Sequence, residues 1–170
     1  MMRNKCWVVK IGSALLTNNG VGIDKALIAR WAEQIVELRA QKIDVILVSS
    51  GSIVEGMKRL GWSTKPNDVH KLQAAAAVGQ MGLIQAYESL FAIHDVHTAQ
   101  ILLTRENLMP SVIFNDESNE AIAKDLLDLN FIPLLDYIED KQFSYNEEHY
   151  PNAIILETEL SPLLNLLNKN

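Results

Sequence analysis

Apolar residues recur along this chain in two rhythms that take turns. Nearly unbroken apolar runs at residues 6–11, 43–48, 96–103 and 131–135 are short and rich in Val, Ile and Leu, the pattern of strands buried on both faces. Between them the spacing widens to a helical period. From Asp24, a natural N-cap, the positions Ile28, Trp31, Ala32, Ile35 and Leu38 form one apolar stripe. Residues 51–60 read as a short helix closed by Gly61. A polar turn at 63–68 then leads into a long helical stretch at 69–94. Its small residues at 74–77 allow close approach to a neighbouring helix, while Gly79 and Gly82 weaken it. Residues 117–129 read as a helix with Ala121, Ile122, Leu126 and Leu127 turned inward. Beyond residue 136 the pattern fades, leaving a strand-like piece at 152–157 and a helical one at 160–167.

This alternation, with connections long enough for crossovers, predicts an α/β fold: a three-layer αβα sandwich around a mostly parallel sheet. Residues 1–135 form its core, and 136–170 are a divergent C-terminal segment of the same domain. In such a sheet the parallel strands point one way and ligands bind beyond their carboxyl ends. Lys10-Ile11-Gly12-Ser13, Ser49-Ser50-Gly51, Thr104-Arg105 and Asp136 each follow a strand, which places all four along one edge. A lysine and two glycine-serine turns at such an edge are the means to hold an anion.

Composition narrows the classes of partner. The 170 residues carry 15 basic and 21 acidic side chains, a net charge of −6, which argues against nucleic acid or an anionic membrane surface. No apolar run approaches the roughly 20 residues that cross a bilayer, and the start of the chain lacks a secretion-signal pattern. The single cysteine, Cys6, sits in a strand and reads as a reduced, buried thiol, so the expected compartment is cytoplasmic. His70, His94, His97 and His149 have no metal-ligand spacing, so no protein metal site is expected.

The segments Val8-Val9-Lys10-Ile11-Gly12-Ser13, Leu47-Val48-Ser49-Ser50-Gly51-Ser52-Ile53, Leu72-Gln73-Ala74-Ala75-Ala76-Ala77-Val78-Gly79-Gln80 and Leu102-Leu103-Thr104-Arg105, in this order, resemble the amino-acid kinase superfamily and, within it, the glutamate 5-kinases. The resemblance covers roughly the first 135 residues. It implies transfer of phosphate from ATP, with magnesium, to the γ-carboxylate of glutamate, the entry to proline synthesis. It also implies that Lys10 is the catalytic cation and, with Gly12 and Ser13, holds phosphate, while Ser50 and Gly51 hold the amino acid.

The later family motifs are altered. Where glutamate 5-kinases carry Asn-Glu-Asn-Asp, this chain has Asp136-Tyr137-Ile138-Glu139, leaving Asp136 and Glu139 as substrate-binding candidates. Where they carry a Gly-Asp-Asn-Asp-like loop it has Glu148-His149-Tyr150-Pro151-Asn152-Ala153, leaving Asn152. The family's C-terminal nucleotide-binding half is absent from these 170 residues. The expectation is therefore a glutamate 5-kinase-like chain, truncated and inactive alone, that pairs with itself or with a complementary kinase half. The alternative is a non-catalytic binding or regulatory protein derived from an amino-acid kinase. An acetylglutamate or uridylate kinase is disfavoured by the segment at 72–80.

Overall fold

A computed structural model describes residues 5–101, 117–136 and 154–156. The elements follow the order β1 (Lys5–Ile11), α1 (Ser13–Leu16), α2 (Lys25–Ala40), β2 (Ile43–Ser49), α3 (Ser52–Arg59), α4 (Val69–Phe91), a 3₁₀ turn (Ala92–His94), β3 (His97–Ile101), α5 (Glu117–Asp128), β4 (Phe131–Asp136) and β5 (Ile154–Leu156). The strands form one sheet in the order β3-β4-β2-β1-β5, every neighbouring pair parallel.

Alternation along the strands divides the apolar residues between two cores. Val9, Ile11, Val45, Leu47, Ile132 and Leu134 face α2 and α4, which bring Ile28, Trp31, Ile35, Leu83, Tyr87 and Phe91. Ile46, Val48, Ile101 and Leu135 face the other way, against Ala123 of α5. Two helical layers thus enclose the sheet. Crossovers from β1 to β2 and from β2 to β3 run in one direction behind α2 and α4. The return from β3 to β4 runs behind α5 on the opposite face, as a common right-handed sense requires. Beyond residue 136, the described residues 154–156 join the same sheet as β5 beside β1.

The helix ends follow from local chemistry. Asp24 caps α2 by accepting from the Leu27 amide at 3.0 Å, and Asp68 caps α4 by accepting from the His70 amide at 2.8 Å. At the far end of α4 the 3₁₀ turn tightens the last residues, and Asp95, in the left-handed region at φ 56°, turns the chain toward β3. At the base of the sheet Arg39 donates to the carbonyl and side-chain oxygens of Asn130, joining α2 to the turn before β4.

Three sequence expectations change. The inner stripe of α5 is set by Ala123, with Leu126 and Leu127 packed against the same core, while Ile122 is 47% exposed. Leu126 and Leu127 keep the expected inward place, the Ala121 side chain lies outside the described residues, and at Ile122 the inner position passes to Ala123, because α5 packs on the Ile46–Leu135 face. Cys6 is half-buried on that face rather than enclosed. Gly79 and Gly82, read as weak points of α4, are where α3 crosses it. A Cβ on Gly79 would fall on the Ser52 carbonyl oxygen, and one on Gly56 would fall on the Ala75 carbonyl oxygen. At Gly79 and Gly56 the two helices touch backbone to backbone, and only glycine fits, whereas Gly82 faces the Arg59 side chain.

The edge strand β3 is tied to α4 through Glu88. Its carboxylate accepts from the Thr98 amide at 2.8 Å and the Thr98 hydroxyl at 2.9 Å, with His97 Nδ1 2.7 Å away. Partial burial pushes this carboxyl up, but the bonds from His97 and Thr98 and the charge of His97 outweigh it and hold it below its ordinary value of 4.5. A depressed carboxylate stabilises the fold above its unfolded pKa, and that contribution is lost as pH falls through the folded value. Urea midpoints measured at pH 7 and at steps below 4.5 are therefore expected to fall further in the wild type than in Glu88→Gln. Equal acid sensitivity of the two would overturn this.

Candidate active site

The carboxyl edge of the sheet gathers the sequence's candidates. Leu156, Ile11, Ser49 and Asp136 stand level across β5, β1, β2 and β4. One residue lower lie Ile155, Lys10, Val48, Leu135 and Ile101. Lys10 therefore lies on the α5 face of β1, half-buried, one residue before the strand ends. β5 lies on the far side of β1 from β2, and ligands enter sheets of this kind beyond the carboxyl ends of the strands.

Gly12 follows at φ −72° and ψ 153°, ordinary extended backbone, and heads the single turn of α1. A Cβ built there would meet none of the other described residues within 4 Å. Among the described residues this leaves a ledge at Gly12, two residues after Lys10 and directly before Ser13. Thr17, fully buried, closes α1 by donating from Oγ1 to the Ser13 carbonyl.

The second turn is built differently. Ser49, Ser50 and Ser52 are all buried, at 1%, 3% and 1% exposure. The Ser50 amide donates to the Ile11 carbonyl at 3.3 Å, so the ends of β1 and β2 are fastened together. The Ser50 hydroxyl also reaches that carbonyl, at 3.4 Å, a long and weak bond. Gly51, at φ 127° and ψ −3°, makes the corner and stands at the N-cap of α3 with no side-chain cap. Its missing side chain matters sterically as well, since a Cβ would lie 3.1 Å from Leu16 Cδ2.

The structure thus brings Lys10, Gly12, Ser13, Ser50, Gly51 and the backbone of Asp136 to one edge. Glu139, Asn152 and Thr104-Arg105 lie outside the described residues. Sequence reasoning missed the Tyr87 hydroxyl, 3.0 Å from Ser49 Oγ beneath the turn. Its only sequence signal is a tyrosine among the small and aliphatic residues of α4. Among the described residues no group of three His, Cys, Asp or Glu side chains is placed to hold a metal ion, and no helix is long and apolar enough to cross a membrane. A cleft of about 330 Å³ between α2, α3 and α4, lined by Lys25, Glu55, Lys58, Arg59 and Gln85, contains none of the candidate residues.

Residues 5–144 match the model of the amino acid kinase family. The chain belongs to that family. It is 52% identical over 133 residues to the glutamate 5-kinase of Hydrogenovibrio crunogenus, covering 78% of this chain and 35% of that protein. With the glutamate 5-kinase of Methylococcus capsulatus it shares 45% identity over 163 residues, 94% of this chain and 43% of that one. With that of Thioalkalivibrio sulfidiphilus it shares 62% over 102 residues, 60% and 27% respectively. The chain thus spans between about a quarter and just over two fifths of the length of these curated relatives.

Proposed function

We propose that this amino acid kinase chain supplies the acceptor side of a glutamate 5-kinase site, in which ATP phosphorylates the γ-carboxylate of glutamate. The observation that carries this reading is the ledge at Gly12, open among the described residues, at the same sheet edge as Lys10 and the buried Ser50-Gly51 corner. Two anions must be brought together, so charge has to be offset on the phosphate side and orientation supplied on the carboxylate side. Lys10 neutralises phosphate oxygens, and the backbone N–H groups of Gly12 and Ser13 approach them across the ledge. On the other side Gly51 brings no cap to α3, which leaves the first amides of that helix to an outside carboxylate. The Ser50 hydroxyl assists once it leaves its weak bond to Ile11.

The open space at Gly12 and the adjacent lysine fit a nucleotide's phosphates. Magnesium accompanies the nucleotide in this reading, without a fixed protein cage. Asp136, Glu139 and Asn152 complete the substrate side, and assembly with a second copy or a complementary kinase half belongs to the same reading, in the cytoplasm. A non-catalytic binding role is the second reading. It is favoured by Asp136-Tyr137-Ile138-Glu139 standing where glutamate 5-kinases carry Asn-Glu-Asn-Asp.

Assayed alone with ATP, magnesium, glutamate and hydroxylamine, the 170-residue chain is expected to give no γ-glutamyl hydroxamate. Turnover of order 10 s⁻¹, typical of metabolic enzymes, would overturn the expectation of inactivity. Calorimetry is expected to show weak heats with glutamate and with ATP-magnesium. Lys10→Ala should weaken the nucleotide by about tenfold or more, the loss of a charge-assisted contact. Absence of heat with both ligands would sink the site assignment.

A further inference from the structure

We propose that Tyr87 is a positioning residue for the Ser49-Ser50-Gly51-Ser52 turn, acting through Ser49 to aim the Gly51 amide at the bound carboxylate. This rests on the reading of that turn as substrate-holding. Tyr87 is fully buried, and its ring stacks near Phe91 with centroids 6.5 Å apart. Ring packing alone needs no hydroxyl, yet the hydroxyl lies 3.0 Å from Ser49 Oγ, at the last residue of β2. Ser49 Oγ in turn reaches the Ser50 carbonyl at 3.5 Å, the outer limit of a hydrogen bond. The Ser50 carbonyl and the Gly51 N–H belong to one planar trans peptide and point in opposite directions. Fixing the carbonyl inward therefore turns the N–H outward. Two helical turns earlier, Gly79 abuts the Ser52 carbonyl and the Gly56 amide nitrogen, so α4 holds the turn on both sides.

The test is amide hydrogen exchange by NMR, with glutamate calorimetry, on Tyr87→Phe, Ser49→Ala and the double variant. Each single change is expected to speed exchange at Ser50 and Gly51 roughly fivefold relative to Leu47, the loss of one ordinary hydrogen bond. The double variant should fall short of the sum of the two single changes, because both remove the Tyr87–Ser49 link. Glutamate affinity should fall by a similar factor. Exchange at Ser50 and Gly51 that changes only in step with Leu47, or effects that add in the double variant, would overturn the proposal. If the wild type gives no heat with glutamate, the substrate reading fails by itself, while the exchange data still decide whether Tyr87 orders the turn.

Discussion

Replacing Gly79 with alanine is expected to cost on the order of 3 kcal/mol of stability, at the upper end of overpacking effects. Two effects of opposite sign compete. Alanine is the better helix former by about 1 kcal/mol, so on an isolated helix the change would stabilise. In the folded chain the new methyl group would sit on the Ser52 carbonyl and the Gly56 amide, both backbone, and neither can move without displacing α3. Steric displacement wins. Gly82 provides the internal control. A Cβ there meets the guanidinium end of Arg59, a flexible side chain 42% exposed and bonded to Glu55. Gly82→Ala is therefore expected to be neutral or to stabilise by up to about 1 kcal/mol. Urea denaturation of the two variants checks the contrast, and a stable Gly79→Ala would show that α3 does not lie against α4 at this crossing.

The helix itself was legible from the small residues at 74–77, including the inference that it lies close to a neighbour. The role of Gly79 was not. A glycine inside a helical period looks the same whether it weakens the helix or admits another backbone, and only the partner distinguishes the two. The partner here is Gly56, far away along the chain, so neither residue announces the contact.

Gly51→Ala and Gly12→Ala are expected to fail in different ways. Gly51 holds φ 127° and ψ −3°, a region closed to residues with a Cβ, and the added methyl would also crowd Leu16. A loss of about 2 kcal/mol is expected, together with loss of glutamate binding. Gly12 has ordinary extended backbone and open space in place of a Cβ. Gly12→Ala should leave stability unchanged within about 0.5 kcal/mol, or raise it slightly by restricting the unfolded chain. Its effect should appear in ATP binding, weakened about tenfold or more where the methyl group keeps phosphate from the amides, each tenfold being about 1.4 kcal/mol. Thermal melts and calorimetry separate the two cases. Unchanged nucleotide binding by Gly12→Ala would remove the ledge from the phosphate site.

Much of the candidate site could be read from sequence because strand ends are easily found. Lys10, Ser49-Ser50-Gly51 and Asp136 each close an apolar run, and parallel strands put such ends on one edge. What could not be read was which groups on that edge are already engaged. Ser50 carries the hydroxyl a motif would nominate, yet it is buried and directed at the Ile11 carbonyl, while Gly12 is the position left open. Within the α5 stripe only Ile122 was misplaced, for a related reason. A period of 3.6 residues leaves two adjacent registers nearly equal, and the choice between Ile122 and Ala123 is made by the sheet face that α5 meets.

By itself, then, the order of residues determined the strands and longer helices among the described residues, the parallel sheet, the edge on which the candidate residues stand and the resemblance to the amino-acid kinases, because each depends on local periodicity or short contiguous motifs. Tertiary structure alone decided the strand order β3-β4-β2-β1-β5, the glycine crossing of α3 and α4, and the link from Tyr87 to Ser49. Each of these depends on residues distant in sequence meeting at fixed separation, and side-chain periodicity carries no record of which distant partner a given face will meet.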